Sequence, residues 1–235
     1  MIHAVIPAAG RGTRLGGKIK KQFLALQGLP VAVHTLTAFQ DASLIDEIVC
    51  ITSKEDLSFF ERLVSDHSLT KVTKILPGGE RRQDSVWAGI SYLEERRDQN
   101  DLVVVHDGVR PLVTPQLIEK VIEAAKAEGG AVAAIRVTDS LKEVSSDKMI
   151  LRSLPRENVW AMQTPQVFRL GILLEAYRSA AREGFEATDE AMLVERLGAP
   201  IRCVEGSIEN IKITLPPDLE TAEIFLRARG SRLHR

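Results

Sequence analysis

Apolar residues along this chain fall into two alternating patterns. Short β-branched runs recur at Ala4–Ile6, Glu47–Thr52, Val72–Leu76, Leu102–Val105 and Ala131–Ile135. They are nearly continuous rather than alternating, which suits parallel strands buried on both faces. Between them lie stretches of helical period. Thr114-Pro115 opens one, with Thr as N-cap and Pro in the first turn. Leu117, Ile118, Val121, Ile122 and Ala125 then share a face, and Gly129-Gly130 closes it. Another begins at Pro216-Pro217-Asp218 and carries Leu219, Ala222, Phe225 and Leu226. Strand and helix alternating in this way predict an α/β fold: a doubly wound, mostly parallel, Rossmann-like sheet.

The stretch from Arg136 to Gln163 breaks the rhythm. It has no clear helical period and carries the turn signal Ser145-Ser146-Asp147-Lys148 between two extended-looking runs. A β-hairpin arm over about 136–163 is expected, although pattern alone equally allows a surface excursion without consequence. Nothing resembling a linker, repeat or low-complexity segment divides the 235 residues, so one domain over 1–235 is expected.

Composition narrows the partners. Charged residues make up 27% and the formal net charge is −1, so no global field favours nucleic acid or an anionic membrane. Cys50 and Cys203 sit in apolar runs and read as small core residues on strands. A disulfide is allowed by their number but not needed by a chain this long. Met1 leads directly into Ile2-His3-Ala4-Val5-Ile6-Pro7, too short for a signal h-region, and no apolar run approaches ~18 residues. A cytoplasmic protein is expected.

Candidate chemistry begins after the first strand. Pro7-Ala8-Ala9-Gly10-Arg11-Gly12-Thr13-Arg14-Leu15-Gly16-Gly17-Lys18 combines small residues, which let backbone approach a ligand, with cations that continue through Lys20 and Lys21. Such a loop suits a triphosphate, whose own charges repel and need neutralising. Two familiar phosphate loops fit less well. Gly10, Gly12 and Gly16 are one residue too widely spaced for the dinucleotide fingerprint, and the second strand ends in Thr52-Ser53 rather than an acid. Gly12 to Lys18 matches the P-loop spacing, but Ile19 stands where Ser or Thr should hold a metal.

Other polar clusters follow strands. Gly78-Gly79-Glu80-Arg81-Arg82-Gln83-Asp84-Ser85 precedes a helix with Val86, Ile90 and Leu93 on its core face; it can close over a base or sugar, or merely cap that helix. His106-Asp107-Gly108-Val109-Arg110-Pro111 follows the strongest strand, at the end where open parallel sheets bind ligands; Asp107 and Arg110 either serve chemistry there or form a structural pair. Asn210-Ile211-Lys212-Ile213-Thr214 places a lone Lys in an apolar strand context, where alternation by itself would point it to solvent. The histidines are scattered, so no protein metal ligand is expected.

In order, Pro-Ala-Ala-Gly-x-Gly-x-Arg, Lys21-Gln22-Phe23, Gly78-Gly79 with Ser85, His-Asp-x-x-Arg-Pro, Asp139-Ser140-Leu141-Lys142, Gln163-Thr164-Pro165-Gln166, Thr188-Asp189-Glu190 and Asn-Ile-Lys-Ile-Thr resemble the 2-C-methyl-D-erythritol 4-phosphate cytidylyltransferases of the non-mevalonate isoprenoid pathway. The resemblance runs from Ile2 to about Leu226. It implies a nucleotidyltransferase fold and a reaction of CTP with methylerythritol phosphate, with Mg²⁺ held chiefly by the triphosphate. By motif position it implies that Arg14 and Lys21 stabilise the transition state. Ala8, Ala9, Gly10 and Gly12 would line the cytidine and phosphate loop, with Gly79, Glu80 and Ser85 around base and ribose. Asp107, Arg110, Thr164 and Lys212 would bind the acceptor. Ser140 and Arg156, on the arm, would complete the site of the other subunit in a homodimer. Ser140 replaces a more common Thr, and Gly108-Val109 a common Ala-Ala. Two rival readings are a ribitol 5-phosphate cytidylyltransferase, which tends to carry Leu-Ala-Gly-Gly in its first loop, and a non-catalytic nucleotide-binding subunit. Pro7-Ala8-Ala9-Gly10 and Pro155-Arg156-Glu157-Asn158-Val159-Trp160 speak for methylerythritol phosphate, and intact Arg14, Lys21 and Lys212 against decay.

Overall fold

The computed structural model describes residues 1–10 and 19–233, built around a seven-stranded sheet. β1 (Ile2–Pro7) is followed by a small hairpin, β2 (Ala25–Leu26) and β3 (Leu29–Pro30), and by α1 (Val31–Asp41). β4 (Glu47–Thr52), α2 (Leu57–Asp66), β5 (Val72–Pro77), α3 (Arg82–Glu94), β6 (Leu102–Val105) and α4 (Pro115–Glu128) continue the alternation. Then come β7 (Gly130–Arg136), a hairpin of β8 (Leu141–Val144) and β9 (Ile150–Leu154), β10 (Trp160–Arg169), α5 (Leu170–Glu183), α6 (Glu190–Glu195), β11 (Arg202–Glu205) and α7 (Pro216–Leu233).

The strand order is β11-β7-β10-β6-β1-β4-β5. β10 runs antiparallel to β6 and β7, while the remaining pairs in the sheet are parallel. The chain moves from β1 outward through β4 to β5, then returns to lay β6 on the other side of β1. That reversal opens a crevice at the carboxyl ends of β1 and β6.

The continuous apolar runs are explained by burial on both faces. Ala4, Ile6, Ile48, Cys50 and Val104 face α1, α2 and α4, while Val5, Val49, Ile51, Val103 and Val105 face α3, α5 and α6. The expected caps form as well. Thr114 Oγ1 accepts from the Leu117 N–H at 3.2 Å, and Gly129 ends α4 at φ 90°, a conformation that costs glycine little. At the start of α7, Asp218 Oδ2 accepts from the N–H groups of Thr214 and Leu215, both at 2.7 Å.

Three expectations need correction. The arm is narrower than 136–163, because Trp160, Ala161 and Met162 pair with β7 inside the main sheet. β10 itself was masked by Pro165, since proline removes a ladder donor and argues against a central strand; a register shift between Met162 and Gln166 accommodates it. Cys203 is exposed on β11 rather than in the core, and both cysteines are free. Lys212 lies in an irregular segment, not a strand.

Candidate active site

The crevice is drawn together by backbone. Ala8 N–H donates to Ile51 O at 2.6 Å, Gly78 N–H to Thr52 O at 2.7 Å, and Gly108 N–H to Pro7 O at 3.1 Å. These bonds set the loops after β1, β5 and β6 side by side. A Cβ on Gly108 would lie 3.0 Å from that of Ala8, so glycine permits this approach. The loops enclose a cavity of about 960 Å³. Its walls are Pro7 to Gly10, Lys20 to Gln22, Ser53 to Glu55, Gly78 to Arg82, Ser85, Asp107, Val109 and Lys212.

Thus Ala8, Ala9, Gly10, Lys21, Gly79, Glu80, Ser85, Asp107 and Lys212, separate in sequence, line one cavity. Gly12 and Arg14 lie outside the described residues. Arg110 and Thr164 stand behind Asp107 rather than on the wall. Ser140 and Arg156 are exposed on the arm and do not line the cavity; the Arg156 guanidinium hydrogen-bonds the Thr138 carbonyl. Lys20, grouped above with the triphosphate cations, is committed elsewhere: its Nζ meets Asp56 Oδ2 at 2.5 Å and Ser53 Oγ at 2.7 Å.

Asp107 is the electrostatic centre. Its Oδ1 takes Arg82 Nε at 3.0 Å, and its Oδ2 takes Lys212 Nζ at 3.0 Å and Arg110 Nε at 3.3 Å. Burial by itself would raise this carboxyl, but Arg82, Lys212 and Arg110 outweigh it and hold the group well below the usual carboxylate range. It therefore stays ionised and splays three cations around one point. Arg110 is fixed further by donating to Asn210 O at 2.8 Å. Removing one partner of such a buried pair typically costs about 3–5 kcal/mol, because the other charge is left uncompensated.

His106, beside Asp107, is wholly buried, and burial pushes its pKa down to about 3. The neutral ring accepts at Nδ1 from Thr164 Oγ1 (3.0 Å) and donates from Nε2 to Arg110 O (3.4 Å), a tautomer set by these partners. Thr164 Oγ1 in turn accepts from the Asp107 N–H at 3.1 Å. The Thr164 hydroxyl thereby holds the backbone that presents Asp107.

Sequence reading overlooked Arg82 and Glu190 as site residues. Arg82 Nη1 and Nη2 grip the Glu190 carboxylate at 2.8 and 2.9 Å, and Glu190 Oε1 also accepts from Tyr177 Oη at 3.0 Å. Glu190 stood in the Thr188-Asp189-Glu190 motif, but nothing local linked it to an Arg on another helix.

The model of one family, 2-C-methyl-D-erythritol 4-phosphate cytidylyltransferase, matches residues 2–228. The chain belongs to this family. It is 45% identical to the 2-C-methyl-D-erythritol 4-phosphate cytidylyltransferase of Pelotomaculum thermopropionicum, over 99% of this chain and 97% of that one. It is 43% identical to that of Syntrophus aciditrophicus, over 99% and 98%. The crystal structure of the Francisella tularensis 2-C-methyl-D-erythritol 4-phosphate cytidylyltransferase superposes with a TM-score of 0.80 at 32% identity, covering 95% of this chain and 98% of the other. The Rossmann-like fold and the nucleotidyltransferase class expected from the motifs are those of this cytidylyltransferase. Among its described residues, no group of three His, Cys, Asp or Glu could hold a metal ion, and of the wall carboxylates Glu55, Glu80 and Asp107 the last is held by Arg82, Arg110 and Lys212. No described helix is long and apolar enough to cross a membrane.

Proposed function

We propose that this cytidylyltransferase moves CMP from CTP to 2-C-methyl-D-erythritol 4-phosphate, forming 4-diphosphocytidyl-2-C-methyl-D-erythritol and pyrophosphate. The observation that carries the reading is the cluster at the cavity wall. Arg82, Arg110 and Lys212 set against Asp107 and Glu190 leave one net positive charge, beside Lys21 and the small-residue loops. An acceptor phosphate complements that charge. One of its oxygens attacks the α-phosphorus of CTP in line and pyrophosphate leaves, with no covalent enzyme intermediate. The attacker is already anionic, so the reaction calls for positioning and charge neutralisation rather than a strong base.

In this reading Lys21 and Arg14 neutralise charge on the α-phosphate and the leaving group. Ala8, Ala9, Gly10 and Gly12 accommodate the phosphates, and Gly79, Glu80 and Ser85 the base and ribose. Lys212 meets the acceptor phosphate, with Asp107, Arg110 and Thr164 as its frame. Mg²⁺ arrives on the triphosphate. The protein acts as one cytoplasmic nucleotidyltransferase domain, paired as a homodimer. The arm supports the pairing: Met149, Ile150 and Leu151 are 67%, 66% and 60% exposed on a two-stranded hairpin, which is marginal without a partner surface. Ser140 and Arg156 would then serve the neighbouring site.

Pyrophosphate release with Mg²⁺ and CTP tests the acceptor. Turnover strongly favouring methylerythritol phosphate over ribitol 5-phosphate is expected. Preference for ribitol 5-phosphate would overturn the acceptor, and release with neither would favour a non-catalytic nucleotide-binding role.

A further inference from the structure

We infer that Glu190 is a positioning residue: it clamps Arg82 from behind, and so sets Asp107 and, through Asp107, Lys212. The inference rests on the cytidylyl-transfer reading above. Glu190 is 1% exposed, belongs to the first turn of α6, and does not line the cavity. It cannot touch a substrate there.

Its partners connect it to the site in an unbroken chain. Tyr177, on α5, donates to Glu190 Oε1. Glu190 takes both terminal nitrogens of Arg82, a forked pairing that fixes the plane of the guanidinium. With Nη1 and Nη2 occupied, Arg82 presents Nε to Asp107 Oδ1. Oδ2 is then left facing Lys212 and Arg110. Lys212 is the most exposed of the three cations, at 37%. Arg82, itself on the cavity wall and held from behind by Glu190, thus orients Asp107, and Lys212 is aimed from Asp107.

The charge count separates positioning from simple attraction. Glu190→Gln removes one negative charge, so the cluster becomes more positive and ground-state attraction for a phosphate does not weaken. The amide also turns an N–H toward Arg82, and the fork is lost. Arg82 then becomes available to the incoming phosphate, which settles away from the in-line position. Such a loss appears in kcat and not in KM.

The test is steady-state kinetics per folded protein, with the acceptor that the wild-type enzyme turns over. A wrong acceptor assignment then shows in the wild type, and a wrong role for Glu190 only in the variants. Glu190→Gln is expected to lower kcat about tenfold or more, with the acceptor KM unchanged or lower. Glu190→Asp should recover part of the rate. Tyr177→Phe, which removes only the hydroxyl, should show the same pattern at about two- to fivefold, and it decides the matter if Glu190→Gln does not fold. An unchanged kcat, or an acceptor KM raised more than twofold, would overturn the inference.

Discussion

His106 illustrates what burial does to one residue. The unfolded chain takes up a proton on this ring near pH 6.5, whereas the folded chain refuses it until about pH 3. Between those limits the unfolded state binds more protons, so stability falls as pH drops through the window. Asp107 acts lower. Its folded pKa is depressed, so its stabilisation is present above its unfolded pKa near 4 and is lost as pH falls further. The two can be separated experimentally. Wild-type melting temperature is expected to decline from pH 6.5 to 5, and His106→Asn to flatten that part of the curve. Parallel curves for the two proteins would count against His106 as the source. Residue types and order were enough to nominate Asp107, Arg110 and Lys212. An Asp107–Arg110 pair was within reach of local spacing, but Arg82 and Lys212 come to the same carboxylate from distant parts of the chain, which residue order could not disclose.

At the scale of elements, most of the architecture was legible because period and punctuation agreed with tertiary burial. α4 is the plainest case, with its Thr114 cap, first-turn proline and closing glycine. β10 was not legible, because a proline inside a central strand is allowed only by an irregularity that pairing creates. α3 shows how tightly elements must meet to shape the crevice. A Cβ on Gly89 would fall 2.7 Å from Val5 Cγ1 and 3.1 Å from Ile51 Cδ1, so the helix lies directly on β1 and β4. Gly89→Val is expected to cost about 1–3 kcal/mol through overpacking, read as a lower urea midpoint with an unchanged m-value. A midpoint within error of wild type would mean that α3 can move away from the sheet.

For the whole molecule, the arm is the part whose role depends on a second chain. If Ser140 and Arg156 serve the neighbouring site, Lys21→Ala and Arg156→Ala subunits are each inactive but complementary. In a randomly exchanged equal mixture, half the dimers are hybrids, and one of the two sites in each is intact. Recovery of roughly a quarter of wild-type activity is therefore expected. Absence of recovery after verified subunit exchange would confine each site to a single chain. The sequence by itself determined the layers, the strand-end loops and the family, because burial pattern, turn chemistry and ordered motifs are local properties read along the chain. Tertiary structure alone decided which charges meet. Lys20 was diverted to Asp56, β10 was inserted antiparallel between β6 and β7, and Tyr177, Glu190 and Arg82 were lined up behind Asp107. Those outcomes depend on long-range distances, and a buried charge takes whichever opposite charge the packed chain brings within reach.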